Sequence, residues 1–205
     1  MKHGFRGASL IANGISTLRL VLESIVPAHS GVLFNGLCDE RLYEFIDDSP
    51  PVSSDVLHSR YERLATGVSS DGREIWLNWA VRLRHNDHYI GVVQATIDQD
   101  RSAIIAYVLF REFWGHGYGR ESVSAMLKQL QNAHGVTRVR ACVDPRNKRS
   151  IALLQSLRFI QSACNVGSAV LHGTVADESE YVREEPFARV GAESVIDKNQ
   201  RLPPE

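Results

Sequence analysis

Residues 103–130, AIIAYVLFREFWGHGYGRESVSAMLKQL, contain the strongest structural signals in the sequence. An apolar run, a loop with three alternating glycines and an amphipathic segment follow one another directly. This order predicts a strand that leads into the start of a helix, where free backbone amides and the helix dipole favour an anion. Gly115, Gly117 and Gly119 lack Cβ, so the backbone there can approach a ligand closely. The sequence therefore predicts a phosphate or pyrophosphate site in this loop.

The segments that follow the loop are predicted from their apolar periods. A helix is expected over residues 120–134, where four apolar side chains recur at i, i+3, i+4 and i+7: Val123, Met126, Leu127 and Leu130. Gly135 ends this helix, and residues 136–143 alternate with the period of a strand. Because a helix that joins two such strands makes a right-handed crossover, we expect this strand to run parallel to the strand before the loop.

Three alternating segments lead up to the loop and are joined by short polar turns. Strands are predicted over residues 75–83, 89–97 and 103–109, and they should form an antiparallel meander. The first of them has one face that is more polar than the other, with Asn78 and Arg82 on it. The glycine loop follows the last strand of this meander.

The flanking segments have a weaker hydrophobic periodicity. Toward the amino terminus we predict a strand over 17–22, one or two short helices within 29–45, and a later helix capped by Ser53 or Ser54. After residue 143 we predict a helix over 150–157 and final strands that include 169–175 and 180–183. The expected organisation is a loosely ordered lead over residues 1–16, a single domain over 17–183, and a polar tail over 184–205.

Composition excludes several classes of function. With 23 Lys and Arg against 24 Asp and Glu, the chain lacks the global positive charge of a nucleic-acid-binding protein. The three cysteines, Cys38, Cys142 and Cys164, have no C-x-x-C spacing and no clustered histidines, which favours reduced thiols over a metal site or disulfides. No apolar run approaches the roughly 18 residues of a membrane span, and no signal peptide is expected. We expect a cytoplasmic protein, monomeric or homodimeric, without a metal, nucleic-acid or membrane partner.

Other phosphate-binding loops fit these residues less well. A dinucleotide fingerprint would need glycine at position 120 or 122, where Arg120 and Ser122 stand, and a P-loop would need Gly-Lys-Ser/Thr, which is missing. A simple turn is the remaining alternative, but turns seldom use glycine at three alternate positions before a helix. We therefore favour pyrophosphate binding by the amides of residues 115–120.

Two motifs carry a resemblance to a known family. FWGHGYGRES at residues 113–122 and VDPRNKRSIALLQSLRF at residues 143–159, in this order after a meander, resemble the GNAT acetyltransferase superfamily. Trp114 stands where the superfamily loop usually has Gln or Arg, a departure similar to the ribosomal-protein N-terminal acetyltransferase-like branch. Arg158 replaces that branch's usual glycine. The resemblance covers about residues 17–183.

The resemblance implies a fold and a cosubstrate. The fold would be α/β (α+β): a mixed, mostly antiparallel central sheet with a parallel pair around the acetyl-CoA loop and helices on both faces. The implied cosubstrate-binding residues are Val108, Leu109 and Phe110 on the strand, Gly115, His116, Gly117, Tyr118, Gly119, Arg120 and Glu121 in the loop, and Asn147 and Ser150 downstream. The alternative role for Asn147 is to cap its own loop. Candidate phosphate partners are Arg111, Lys148, Arg149 and, first among them, Arg120.

The resemblance does not fix the groups that move protons. Residues 103–109 lack the Glu that many relatives place on this strand, and Leu153 and Leu154 stand where many have a Tyr. The catalytic candidates are Tyr107, Glu112 and His116, with Asp98, His85 and His88 as further possible bases. Packing is the alternative role for Tyr107, and an ordinary surface role is the alternative for the others.

The implied activity is transfer of an acetyl group from acetyl-CoA to a primary amine by direct nucleophilic attack. The acceptor is either a peptide or protein α-amine or a small-molecule amine. A polycationic acceptor would suit a cleft lined by acidic side chains, for which the candidates are Asp47, Asp48, Asp98 and Asp100. The alternative function is a catalytically silent, CoA-binding regulatory or interaction module on the same fold.

Overall fold

The antiparallel meander predicted before the glycine loop forms the centre of the sheet. In the computed structural model, which describes residues 14–184, its three strands are β3 (Ile75–Leu83), β4 (Tyr89–Ile97) and β5 (Ser102–Leu109). Both pairings are antiparallel. Because alternating apolar side chains and short polar turns are strong strand signals, the predicted bounds of these strands agree with the structure to within one residue.

The other elements complete a mixed sheet with helices on its two faces. They are β1 (Ile15–Ser16), β2 (Leu20–Ser24), α1 (His29–Leu37), α2 (Ser54–Leu64), α3 (Tyr118–His134), β6 (Arg138–Val143), α4 (Lys148–Ser156), β7 (Ile160–Leu171) and β8 (Thr174–Glu184), with short 3-10 turns at Glu40–Leu42 and Arg111–Phe113. The strand order is β1-β2-β3-β4-β5-β6-β8-β7. Only the β5–β6 pair is parallel among the described strands, so the predicted fold class is confirmed.

Each face of the sheet packs against a different pair of helices. Leu77, Trp79 and Val81 of β3 lie in the core formed with α3 and α4. Ala80, on the opposite face of the same strand, packs with α1 and α2 in a second core that includes Leu33 and other apolar side chains. The more polar face predicted for β3 is therefore covered by helices and not turned to solvent.

Several predicted boundaries are wrong. The first long strand begins at Leu20 and not at residue 17, because Thr17 closes a turn with Leu20. The Thr17 amide and hydroxyl both donate to the Leu20 carbonyl, and the hydroxyl also accepts from the Leu20 amide. The glycine-loop helix begins at Tyr118, two residues early. The predicted strand over 169–175 instead contains the tip of a long β7–β8 hairpin, where His172 and Gly173 have positive φ angles.

Some expectations concern residues that the structure describes only in part. The predicted lead over residues 1–16 falls mostly outside the described range, although β1 pairs with β2 within it. The predicted tail after Glu184 lies outside the described residues.

The predicted end of the glycine-loop helix is confirmed. Gly135 has a left-handed φ of 64° and ends α3.

Candidate active site

The glycine loop presents unpaired backbone amides at the start of α3. Gly115 and Gly117 both have φ of 78°, and Gly117 is the residue that caps the helix. A Cβ at Gly119 would lie 2.7 Å from Leu153 Cδ1 of α4, so a larger residue there would displace the end of the Leu153 side chain. None of the amides of residues 115–120 donates to an acceptor within residues 14–184. The loop therefore has the open amides and helix dipole that bind an anion.

A polar network ties the first turn of α3 to the β1–β2 turn. Glu121 accepts hydrogen bonds from the Thr17 hydroxyl (2.6 Å), the Arg19 amide (2.9 Å) and Arg19 Nε (2.7 Å). Burial opposes ionisation of Glu121, but these donors outweigh it and hold the pKa of the carboxyl below its ordinary value. Arg19 also donates to the carbonyl of His116 at 3.0 Å and lies over the Tyr118 ring. Glu121 and Arg19 thus hold the loop in place.

Trp114 joins the end of β5 to the loop. Its indole Nε1 donates to the carbonyl of Leu109 at 2.6 Å. The guanidinium groups of Arg111 and Arg149 lie 5.3 and 4.6 Å from the Trp114 ring. Two of the four predicted phosphate partners therefore sit beside this ring. Of the other two, Arg120 is exposed, and Lys148 donates to the carbonyl of Pro145 at 2.7 Å.

Strands β5 and β6 separate after a short paired segment. Their register has three pairs, the last between Ile104 and Arg140. The amide of Phe110 donates to β4 at 2.8 Å. Because neighbouring residues of a strand turn their backbone groups to opposite edges, the amides of Tyr107 and Leu109 face away from β4 and into the gap beside β6. An unpaired strand edge of this kind can hydrogen-bond an extended ligand.

Tyr107 bridges this gap to the start of α4. Its hydroxyl lies 2.8 Å from Ser150 Oγ. Burial raises the pKa of Tyr107 to about 12, although the bond to Ser150 works in the other direction. Asn147 caps α4, with its side-chain oxygen accepting from the Ser150 amide at 3.1 Å. The capping role weighed for Asn147 is therefore present, and Tyr107 is a protonated donor at neutral pH.

A cleft of about 220 Å³ opens from the Tyr107–Ser150 pair toward α1 and α2. Its floor is formed by sheet residues that include Asn78, Gln94 and Cys142. Most of its wall is apolar or aromatic: Leu37, Tyr43, Phe45, Ile46, Leu57, Tyr61 and Leu64. Asp48 is the one carboxylate among the described lining residues, and it accepts from Arg60 at 3.0 Å. The acidic cleft considered from the sequence is therefore not what the structure shows.

The residues considered as bases lie elsewhere on the protein. Glu112 and His116 are exposed beyond the end of β5, His85 and His88 are exposed in the β3–β4 turn, and Asp98 is in the β4–β5 turn. None of these five lines the cleft. Of the predicted catalytic residues the cleft contains Tyr107 alone, and of the predicted cosubstrate-binding residues it contains Val108, Asn147 and Ser150.

Sequence reasoning missed two polar side chains deep in the cleft. Asn78 and Tyr61 are 8% and 4% exposed. Neither side chain has a hydrogen-bond partner among residues 14–184, and both line the cleft. The only available signal was an asparagine on an otherwise apolar strand, which gives no hint of a helix above it.

The tip of the β7–β8 hairpin contacts the segment between α1 and α2. The amide of His172 donates to Asp47 Oδ1 at 3.2 Å, and its ring Nε2 lies 2.9 Å from the carbonyl of Tyr43. This contact joins the hairpin to residues 43–48, a segment between α1 and α2 that supplies side chains to the cleft lining. Within residues 14–184 there is no cluster of possible metal ligands and no helix long and apolar enough to span a membrane.

Comparisons with known proteins agree with this architecture. The profile of the family described as Acetyltransferase (GNAT) domain matches residues 19–160. The uncharacterized N-acetyltransferase p20 of Bacillus licheniformis is 28% identical over 146 residues, or 70% of this chain and 80% of that one.

Solved structures show the same fold. RimL, a ribosomal-protein alpha-N-acetyltransferase in complex with coenzyme A, has a TM-score of 0.75 at 19% identity, covering 84% of this chain and 98% of that chain. RimJ of Mycobacterium smegmatis has a TM-score of 0.75 at 16% identity, covering 84% and 87%. These neighbours agree with the resemblance to the ribosomal-protein branch at the level of fold. Because the family profile spans more than half of the sequence, the chain belongs to the GNAT acetyltransferase family.

Proposed function

We propose that this protein transfers the acetyl group of acetyl-CoA to a primary amine by direct attack of the amine on the thioester carbonyl. Proteins of the GNAT family use acetyl-CoA. The observation that supports the proposal most strongly is that β5, whose unpaired edge borders the cleft, leads directly along the chain into the open amides of the glycine loop. This arrangement fits an anionic head group followed by an extended arm.

The backbone would perform most of the cosubstrate binding. Amides of residues 115–120 would bind the pyrophosphate, with Arg120, Arg111 and Arg149 as nearby cations. The amides of Tyr107 and Leu109 would pair with the amide-containing arm and polarise the thioester carbonyl, as an oxyanion hole does. Val108 and Phe110 turn their amides toward β4 and would contribute through packing.

Tyr107 and Ser150 are the groups placed to supply a proton. Attack by the amine breaks the carbon–sulfur bond, and the departing sulfur needs a proton. Because its pKa is raised to about 12, Tyr107 stays protonated through the physiological range and can donate but not act as a base. Ser150, 2.8 Å from the Tyr107 hydroxyl, can relay that proton. We assign the acid role to this pair.

Deprotonation of the amine depends on the acceptor. An α-amine with a pKa near ~8 needs about 1 unit, ~1.4 kcal/mol, to become neutral at pH 7, whereas a lysine-like amine near ~10.4 needs about 3 units, more than ~4 kcal/mol. The described cleft contains no unpaired carboxylate that could act as a strong base. An apolar wall disfavours the ammonium form and lowers the pKa of a bound amine. Water can then carry the proton away.

Thiol release tests the proposal. The purified protein would be mixed with acetyl-CoA, a panel of primary amines and a chromogenic thiol reagent, while calorimetry measures CoA binding. We expect amine-dependent thiol release that Ser150→Ala slows without weakening CoA binding more than about threefold. CoA binding without release from any amine would refute the enzyme and support the silent CoA-binding module instead.

A further inference from the structure

The floor of the cleft contains a row of polar side chains that ends in unpartnered groups. Asn78 on β3 is the register partner of Gln94 on β4, and Gln94 is the partner of Ala106 on β5, next to Tyr107. Asn78 therefore lies about two strand spacings, or about 10 Å, from the strand along which the cosubstrate would bind. This places Asn78 at the deep end of the cleft, away from the reacting end.

Two polar side chains face the cleft without a protein partner. Asn78 and Tyr61 are more than nine-tenths buried as whole residues, and their side chains have no partner within residues 14–184. Their polar atoms are nevertheless reached from the cleft, because neither residue contributes to the fully buried unpartnered atoms of the described range. A hydroxyl or amide group of a molecule in the cleft can donate to such side chains or accept from them.

The part of the cleft between Tyr107 and Asn78 suits a compact apolar group. A cavity of about 150 Å³ is large enough to hold a benzene ring, whereas pockets for drug-sized ligands run from about 300 to 1,000 Å³. The cleft has about 220 Å³ and is walled by side chains such as Leu57, Tyr43 and Phe45. An aromatic ring with a short alkyl chain fits both this volume and this lining.

The lining of the cleft disfavours polycationic and peptide acceptors. The carboxylate of Asp48 is already paired with Arg60, so the described lining offers no free anion for a polycation. A peptide would have to place its backbone amides against a mostly apolar wall, where they lack partners. An apolar lining also favours the neutral, reactive form of an amine over its ammonium form.

We propose that the acceptor is a small primary amine with an aromatic body and a polar substituent at the far end, bound with its amine toward Tyr107 and its substituent toward Asn78 and Tyr61. This inference rests on the proposed acetyltransferase function. Tyramine is a suitable probe of this chemistry, because 2-phenylethylamine differs from it only by the phenolic hydroxyl.

The test compares amines and variants in the thiol-release assay. We expect kcat/KM for tyramine to exceed that for 2-phenylethylamine at least tenfold, and that for spermidine, kanamycin or a short peptide at least 100-fold. Tyr61→Phe and Asn78→Ala should each reduce the preference for tyramine over 2-phenylethylamine to less than threefold. Thr96→Ala, on the same face of β4 but outside the cleft, should leave the preference unchanged.

Each outcome bears on a different claim. Acetylation of spermidine, kanamycin or the peptide within tenfold of tyramine would overturn the inference and leave the acetyltransferase function standing. Equal use of tyramine and 2-phenylethylamine would show that water alone satisfies Asn78 and Tyr61. If no amine releases thiol, calorimetric titration of tyramine into the CoA-saturated protein separates the acetyltransferase function from the inferred acceptor. Tyramine binding that Tyr61→Phe weakens would refute catalysis only. No tyramine binding would refute both the catalytic function and the inferred acceptor.

Discussion

Replacement of Gly117 by glutamate should abolish acetyl-CoA binding while the fold survives. Gly117 caps α3 with φ of 78°, and a Cβ there would lie 3.4 Å from the Arg19 guanidinium, so the side chain has room. The left-handed backbone makes any non-glycine residue cost about 1–2 kcal/mol. A carboxylate about 4 Å from one pyrophosphate charge costs about 4 kcal/mol at an effective dielectric constant of 20, which weakens binding about 1,000-fold.

The other end of the same helix supplies a matched control. Gly135 is also left-handed, with φ of 64°, and its Cβ would lie 3.4 Å from the Arg101 guanidinium. Gly135→Glu therefore carries the same charge, a similar strain and a similar arginine neighbour. Because the helix dipole favours a carboxylate at the start of α3 and disfavours it at the end, Gly117→Glu should be no less stable than Gly135→Glu.

The assay is isothermal titration of CoA, with chemical denaturation to compare stability. We expect Gly135→Glu to bind CoA within threefold of the unaltered protein and Gly117→Glu to show about 1,000-fold weaker binding or none. If both variants bind with unchanged affinity, the pyrophosphate site is not at this loop. If both lose binding in proportion to lost stability, strain and not repulsion is the cause.

Three further predictions follow from the described contacts. Glu121→Gln removes a carboxylate whose pKa is lowered below 4.5, and with it the stabilisation that this carboxylate gives above that pH and loses as the pH falls. We expect the free energy of unfolding to drop by about 1–3 kcal/mol at pH 7 and to decline less steeply below pH 4.5 than in the unaltered protein. The same decline below pH 4.5 in both proteins would contradict this. Gly91→Ala places a Cβ 2.1 Å from the Val108 carbonyl and should cost about 3 kcal/mol in denaturant unfolding, whereas a loss under 0.5 kcal/mol would show that β5 can move. Tyr107→Phe should lower kcat about 100-fold with CoA affinity unchanged, and a change under threefold would remove Tyr107 from the proton path.

The half of the proposed site that would bind the cosubstrate could be predicted because it is local in sequence. The strand, the glycine loop and the helix occupy residues 102–134 without a break, and each has its own period or backbone requirement. Of the three loop glycines, which the sequence predicts to give the backbone unusual freedom, Gly115 and Gly117 have left-handed φ angles and Gly119 does not. The parallel placement of β6 followed from the handedness of crossovers, which holds for nearly every sheet.

The acceptor half could not be predicted because it is assembled from distant segments. Asn78, Tyr61 and Gln94 come from β3, α2 and β4, and no spacing joins them. An alternating strand has the same sequence pattern whether its polar face meets solvent or a helix with a cleft between. The tip of the β7–β8 hairpin could not be predicted for a related reason. Apolar and small residues continue through it, and only Gly173, next to His172, marks the turn.

The lining of the cleft and the missing base are consistent with one another. An enzyme that acetylates a strongly basic, solvated amine must remove a proton at a cost of more than ~4 kcal/mol, and a nearby carboxylate is the usual means. Here the described lining holds one carboxylate, paired with Arg60, among mostly apolar side chains. Such a lining lowers the pKa of an amine that enters it and at the same time selects an apolar body to carry that amine. On this proposal the wall formed by α1 and α2 determines both which acceptor binds and how its nitrogen becomes nucleophilic. Changing one side chain of the wall to a charged one should therefore affect the choice of acceptor and the rate together.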